Sequence, residues 1–290
     1  MELEHLYSNI PPQFLFHYTS ATGMLGILSS GSIWATEARY LNDAKELSNT
    51  LNFVIYEVVQ RLGSTDPEEF EVLKQFESWL RDRVSSGHAI FVVSLTENGN
   101  LLSQWRGYTP SNTGVSIGFD AARLKTMAAA VGFRLGRCIY DINEQSEIVR
   151  GLLNEILVGA KRCGPAPANV KDPSQSYYQL FEDLEEKIFL GAALLKHHSF
   201  KEEAEWRLVS SLVQQYRDAP IKFRLGASCL VPFLTFNLRD EDGGLTVVRR
   251  AFVGPTPNPN LAMHAVTIAL AQYVKGSHVI VNSMLPLRQV

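Results

Sequence analysis

Cysteine is scarce in this chain: Cys138, Cys163 and Cys229 are three among 290 residues. An odd number at wide spacing makes neither a disulfide framework nor a zinc pattern, and it fits a reducing compartment. Net charge is equally slight, −3 from 27 basic and 30 acidic side chains. Such a balance provides no global attraction to nucleic acid and leaves only a local basic patch for that purpose. No apolar run reaches the roughly 20 residues needed to span a bilayer. Met1-Glu-Leu-Glu-His has neither the basic start nor the apolar stretch of a secretory leader. A cytoplasmic protein without a membrane partner is therefore expected.

Several chemistries are missing as well. No phosphate-binding loop of the P-loop or Rossmann type is present, because Gly114-Val-Ser-Ile-Gly118 has the wrong spacing. No Gly-x-Ser-x-Gly nucleophile elbow occurs. A nuclease needs clustered carboxylates to hold its ions, and no convincing set stands out, so no metal is expected.

What is present is a globular composition, 46% hydrophobic and 20% charged, long enough for a sizeable core. The stretch from Phe14 to Thr36 organises the rest. Phe14–Phe16 reads as a strand that ends in His17-Tyr18-Thr19. Ser20 or Thr22 caps a short helix by accepting the amides of its first turn. Met24, Leu25, Ile27 and Leu28 form its buried face, and Gly31 ends it in the left-handed conformation. Ile33-Trp34-Ala35-Thr36 starts a second strand. A histidine at one strand end and a tryptophan on the next can then face one crevice, beside a helix start that favours anions.

Periodicity predicts the remaining elements. A helix capped by Asn42 or Asp43 runs to about Leu62, with Leu47, Leu51, Val54, Ile55 and Val58 buried; a second follows Asp66-Pro67. Ala89–Leu95 reads as a central strand. A short helix or turn follows at 101–108, a strand at 113–119, a helix at 121–131 capped by Asp120, and a strand at 133–140. Helices are expected at 143–163 and 174–198, separated by the loop 164–173. The second half is rich in strands, at 205–213, 221–225, 230–236, 245–252 and 279–282, with a late helix near 261–274. This order implies one α+β domain over 1–290 with a mainly antiparallel sheet, whole or split, and inserted helices, those at about 143–198 forming a helical insertion.

Four places carry candidate chemistry, each with a structural reading beside the functional one. His17 either satisfies its ring in a half-buried site or acts with a partner yet to be named. His197-His198 are either ligands or a favourable charge at a helix C-terminus. Strand alternation puts Glu205, Arg207 and Val209 on one face and Trp206 and Leu208 on the other, so Glu205 and Arg207 form either a structural pair or part of a site. Most charges of Lys201–Arg207 are expected in solvent. In Gln104-Trp105-Arg106-Gly107-Tyr108, Arg106 either grips a phosphate with its planar guanidinium or lies exposed beside a packed Trp105.

Taken together, His17-Tyr18-Thr19, Leu41-Asn42-Asp43-x-x-Glu46, Val93-Ser94-Leu95-Thr96, Trp105-x-x-Tyr108 with Gly114-Val115, Glu205-Trp206-Arg207 and Ser283-x-x-Pro286-x-Arg288 resemble a widespread bacterial family of unknown function, DUF2971. More distantly, His17-Tyr18-Thr19, Ile27-Leu28-x-x-Gly31 and Ile33-Trp34-Ala35 resemble the opening of the ADP-ribosyltransferase fold of the His-Tyr-Glu type. Here Trp34 stands where that fold has Tyr, Tyr18 where Gly is common, and the spacing to Glu205 is long. The second resemblance implies that His17 holds the nicotinamide ribose, Trp34 or Tyr40 faces the nicotinamide, and Glu205 is the catalytic glutamate. Tyr18, Thr19, Arg106 and Arg207 complete the expected cofactor-binding set.

The implied activity is cleavage of NAD at the nicotinamide–ribose bond, by a transferase or a glycohydrolase. The acceptor, protein or nucleic acid, stays open, and the setting is bacterial defence or a toxin system. Glu205→Gln is then expected to abolish transfer and leave the fold intact. The alternative is a non-catalytic sensor module that binds a nucleotide or nucleic acid through Arg106, Arg207 and Arg288. Glu205 beside a pocket that holds His17 and an aromatic favours transfer, and convergence of the three arginines away from Glu205 favours binding.

Overall fold

The structure, a computed structural model, describes residues 3–41, 46–63, 67–109, 113–164 and 176–283. The caps expected at Asn42, Asp43 and Asp66, most of the loop 164–173, and Pro286 and Arg288 lie outside the described residues. So does the side chain of Leu47.

The opening stretch folds as its pattern dictates, except that Leu25, expected on the buried face of its helix with Met24, Ile27 and Leu28, is exposed. Strand β1 spans Phe14–Ser20, helix α2 Ala21–Ser30 and strand β2 Ser32–Glu37, after a single turn α1 at Leu3–Leu6. Ser20 caps α2 by accepting the Gly23 amide, and Gly31 closes it at φ 65° with its amide on the Ile27 carbonyl. A Cβ at Gly31 would also lie 2.2 Å from Nε of Arg239, so backbone and space both require glycine there.

The elements that follow are α3 (Glu46–Leu62), α4 (Pro67–Ser86), β3 (Phe91–Thr96), α5 (Leu102–Tyr108), β4 (Gly114–Asp120), α6 (Ala121–Ala130), β5 (Phe133–Arg137), α7 (Ile142–Cys163) and α8 (Tyr178–Ala192). Strands β6 (Glu205–Ser210), β7 (Lys222–Leu225), β8 (Leu230–Asn237) and β9 (Val248–Val253), helix α9 (Pro259–Tyr273) and strand β10 (Val279–Asn282) complete the chain. The helix expected at 174–198 is shorter than its apolar periodicity suggested. It ends at Ala192, because the next residues leave the helix and Leu195 forms a bridge with Ile139. His197 and His198 therefore do not sit at its C-terminus; His197 caps the 3₁₀ helix His198–Glu203 instead.

The fold is α+β with a mostly antiparallel sheet. Among the described residues ten strands join one sheet, and its strand pairs are antiparallel except β9 with β10. The order β10-β9-β4-β1-β3-β2-β8-β7 carries β6 and β5 on a branch from β3. That branch splits the sheet. One edge of β3 pairs with β6 along its length, from Val92↔Val209 to Thr96↔Glu205. The other edge is shared: β2 takes the start at Phe91 and Val92, and β1 takes the end at Thr96. Between them, Val93, Ser94 and Leu95 have no strand partner on that side, and β1 and β2 diverge around them.

Two apolar clusters hold the sheet. Leu51, Val58, Leu73, Phe76, Leu153 and Phe189, from α3, α4, α7 and α8, pack with Val92 and Val209. Leu28, Ile33, Leu124 and Leu270 pack with Val93, Leu95, Trp206 and Leu208. Neighbouring strand residues thus feed opposite layers, as the two-residue period of a strand requires. Each fully buried aliphatic or aromatic side chain of this kind contributes about 1.5–3 kcal/mol. Phe70 of α4 is exposed.

Candidate active site

The divergence of β1 and β2 opens a cleft of about 180 Å³. Its walls bring together His17 and Tyr18 of β1, Trp34 and Thr36 of β2, Tyr40, Ser94 of β3, Tyr108 of α5, Glu205 and Arg207 of β6, Lys196, and Arg224 of β7. A smaller adjoining recess shares His17, Tyr18, Ser94, Tyr108 and Glu205 and adds Gln104 and Glu203.

His17 bridges the split. Its Nδ1 lies 3.0 Å from the Ser94 carbonyl, in the gap where no strand pairing exists. A carbonyl only accepts, so Nδ1 carries the proton. Burial pulls the ring below its ordinary pKa, more strongly than the Ser94 bond raises it, so the imidazole is neutral. Nε2 then bears a lone pair and can accept from a hydroxyl.

Glu205 occupies the opposite wall. Its carboxylate accepts from Nε of Arg207 at 2.9 Å and Nη2 at 3.1 Å, and from Nζ of Lys196 at 2.6 Å. Lys196 also donates to Glu203 at 2.5 Å, and the Glu203 carboxylate accepts from the Tyr108 hydroxyl at 3.1 Å. Arg207 is anchored through the Ala193 carbonyl at 2.8 Å, and the Glu205 amide donates to the Tyr140 hydroxyl. Burial alone would raise the Glu205 pKa, but Arg207 and Lys196 outweigh it and bring the carboxyl down to about 2. Glu203 goes the other way: burial raises it more than Lys196 lowers it. Lys201 and Glu202 are exposed as expected, whereas the charges of Glu203, Glu205 and Arg207 are enclosed in a network and not in solvent.

Aromatic side chains line the outer part. Trp34 is 50% exposed and packs on Phe233 with ring centroids 4.5 Å apart. Tyr40 is also partly open, 41% exposed. Tyr18 is buried, edge-on to Trp105 at 4.7 Å. Its hydroxyl donates to the Asn98 carbonyl and accepts from the Leu101 amide, so it holds the turn leading into α5.

Two expected residues lie apart from the cleft. Arg106 projects from the exposed side of α5, because Gln104 and Trp105 take the buried side and Tyr108, one turn on from Gln104, reaches the cleft. Thr19 does not line it either; its hydroxyl lies where a Cβ on Gly23 would fall, at the start of α2. Lys196, Glu203, Thr36 and Arg224 are site residues that sequence reasoning passed over. Lys196 had no local signal, since an isolated lysine is expected in water.

A group of potential metal ligands, His88, Glu182 and Glu185, lies between α4 and α8, away from this cleft. Arg83 supplies positive charge there, in contact with Glu182 and with its Nε 3.6 Å from Glu185, while His88 Nδ1 meets Glu185 at 2.7 Å.

Residues 104–208 match the model of the family described as protein of unknown function (DUF2971). The chain resembles that family over the segment from α5 through β6, which supplies Tyr108, Lys196, Glu203, Glu205 and Arg207 to the cleft. No curated protein matches the chain. Among solved structures, Thermus sp. 2.9 DarT in complex with NAD+ is similar at 10% identity, with 95% of this chain and 98% of that one covered and a TM-score of 0.31.

Proposed function

We propose that the split cleft binds NAD and breaks its nicotinamide–ribose bond, passing the ADP-ribosyl group to an acceptor or to water. The observation that carries this reading is a buried carboxylate, Glu205, held ionised on the wall of a cleft that also takes in His17, Trp34 and Tyr40. As the bond lengthens, its electron pair leaves with the nicotinamide, which becomes neutral, and positive charge passes to the ribose. A fixed carboxylate stabilises that charge, as carboxylates do in glycoside hydrolysis. Water or another nucleophile then attacks the same carbon and loses its proton. His17, neutral and fixed by Ser94, accepts a ribose hydroxyl at Nε2. The open face of Trp34 stacks on a planar ring.

A second reading rests on one specific observation. Both Glu205 oxygens are already engaged by Arg207 and Lys196, which suits a rigid binding wall as well as a reacting group. In that case the protein is a nucleotide-binding module without turnover.

Calorimetry with NAD, together with nicotinamide release, separates the two. Release by the wild type that is lost in folded His17→Ala and Glu205→Gln supports cleavage. NAD binding without release supports the binding module. Neither binding nor release would refute both.

A further inference from the structure

The cations of the cleft are not equivalent. Lys196 and Arg207 are tied to the carboxylates of Glu203 and Glu205 at 2.5 to 3.1 Å. Arg224 has no such partner among the described residues. Its Nη2 donates to the Thr36 hydroxyl at 3.2 Å, and its Nε is buried with no hydrogen-bond partner among those residues. Three cations therefore face two carboxylates, and the surplus positive charge falls on Arg224. Strand alternation explains its placement. Arg224 pairs with Val231 across the β7–β8 hairpin, so it points opposite to the exposed Phe223 and Leu225 and toward the side carrying Trp34. Its guanidinium carbon sits 6.0 Å from the centre of the Trp34 ring.

We propose that Arg224 is the anion-holding residue of this cleft and that the ligand carries a phosphate or pyrophosphate next to its planar ring. The proposal deepens the nucleotide reading above and rests on it for the ring, while the anion follows from Arg224 alone. A guanidinium presents its Nε and Nη donors as a fork that matches two oxygens of one phosphate. Here the buried Nε–H is one unused tine, and the Thr36 hydroxyl beside Nη2 adds a third polar group. An arginine that served only to cover Trp34 would have no need of a buried donor without an acceptor.

The test uses inorganic pyrophosphate as the anion alone and NAD as the full ligand. Wild type, Arg224→Gln and Arg224→Lys are titrated at constant ionic strength by calorimetry, and folding is checked by circular dichroism. Wild type is expected to bind pyrophosphate. Arg224→Gln should weaken both pyrophosphate and NAD by about tenfold or more, and Arg224→Lys, a point charge without the fork, by less. Should Arg224→Gln fail to fold, the lysine variant decides: an unchanged affinity for pyrophosphate overturns the bidentate role. Absence of pyrophosphate binding by wild type, or equal affinity in all three proteins, also overturns the proposal. The two readings fail separately. Pyrophosphate binding that depends on Arg224, with NAD left intact, leaves the anion site standing and removes NAD cleavage. NAD cleavage with the same KM in wild type and Arg224→Gln does the reverse.

Discussion

Replacing Glu205 by glutamine tests the electrostatics of the cleft independently of any ligand. The side chain is buried and accepts three charge-assisted hydrogen bonds from Arg207 and Lys196. Glutamine keeps the shape but leaves the two cations facing a neutral amide. Removing one partner of a buried ion pair costs about 3–5 kcal/mol. The lower end is expected here, because Lys196 keeps Glu203 and Arg207 keeps the Ala193 carbonyl. Linkage points to the same size. A carboxyl held at about 2 in the native state, against an ordinary 4.5, contributes about 3 kcal/mol above pH 4.5. The native state binds fewer protons than the unfolded one in that window, so this stability is lost as pH falls from about 4.5 toward about 2. Urea denaturation of wild type and variant between pH 7 and pH 3 measures both effects. The gap between the proteins should be about 3 kcal/mol at pH 7 and should shrink on acidification. A gap below about 1 kcal/mol, independent of pH, would refute the view of Glu205 as an ionised buried partner. The same reasoning revises the expectation that Glu205→Gln leaves the fold untouched: any loss of turnover has to be read on protein shown to be folded.

Other perturbations probe the walls one at a time. Tyr18→Phe removes the hydroxyl that links Asn98 and Leu101, so a loss of about 1–3 kcal/mol and faster hydrogen exchange at the Leu101 amide are expected; unchanged exchange would contradict that linkage. Gly31→Ala forces a left-handed backbone and a clash with Arg239, and should lower stability by about 1–2 kcal/mol in thermal melts, whereas a neutral result would remove the argument from φ. Trp34→Ala, at a half-exposed position, should cost about 1 kcal/mol of stability yet weaken NAD binding markedly; equal loss of NAD and pyrophosphate affinity would deny it a stacking role.

Much of this frame was legible in the sequence because the signals were local. Ser20 before a helical stripe and Gly31 after it define α2, and a two-residue alternation sends Glu205 and Arg207 to one face and Trp206 and Leu208 to the other. Val279–Asn282 is a strand, as its β-branched run predicted. The failures were tertiary. Ala193, Leu194 and Leu195 are apolar in either conformation, so periodicity ran the helix past Ala192, where a bridge to Ile139 ends it. Leaving the helix is what brings Lys196 to Glu203 and Glu205, and no local pattern marks a lysine for burial. Arg106 was judged by its aromatic neighbours, but helical geometry gives the inward positions to Gln104, Trp105 and Tyr108. Arg224 lies on a four-residue edge strand that pairs with β8, itself the neighbour of β2, so its reach to Thr36 and Trp34 is set by the β8 register.

Nicotinamide release from NAD, measured for wild type beside folded His17→Ala, is the most direct test of the cleft as a site of bond cleavage. His17 carries no ion pair among the described residues, so its loss should spare the Glu205 network. Release by the wild type, reduced by about tenfold or more in the variant, is the expected result. Wild-type protein that binds NAD and releases no nicotinamide, or a variant that releases it at the wild-type rate, would contradict it.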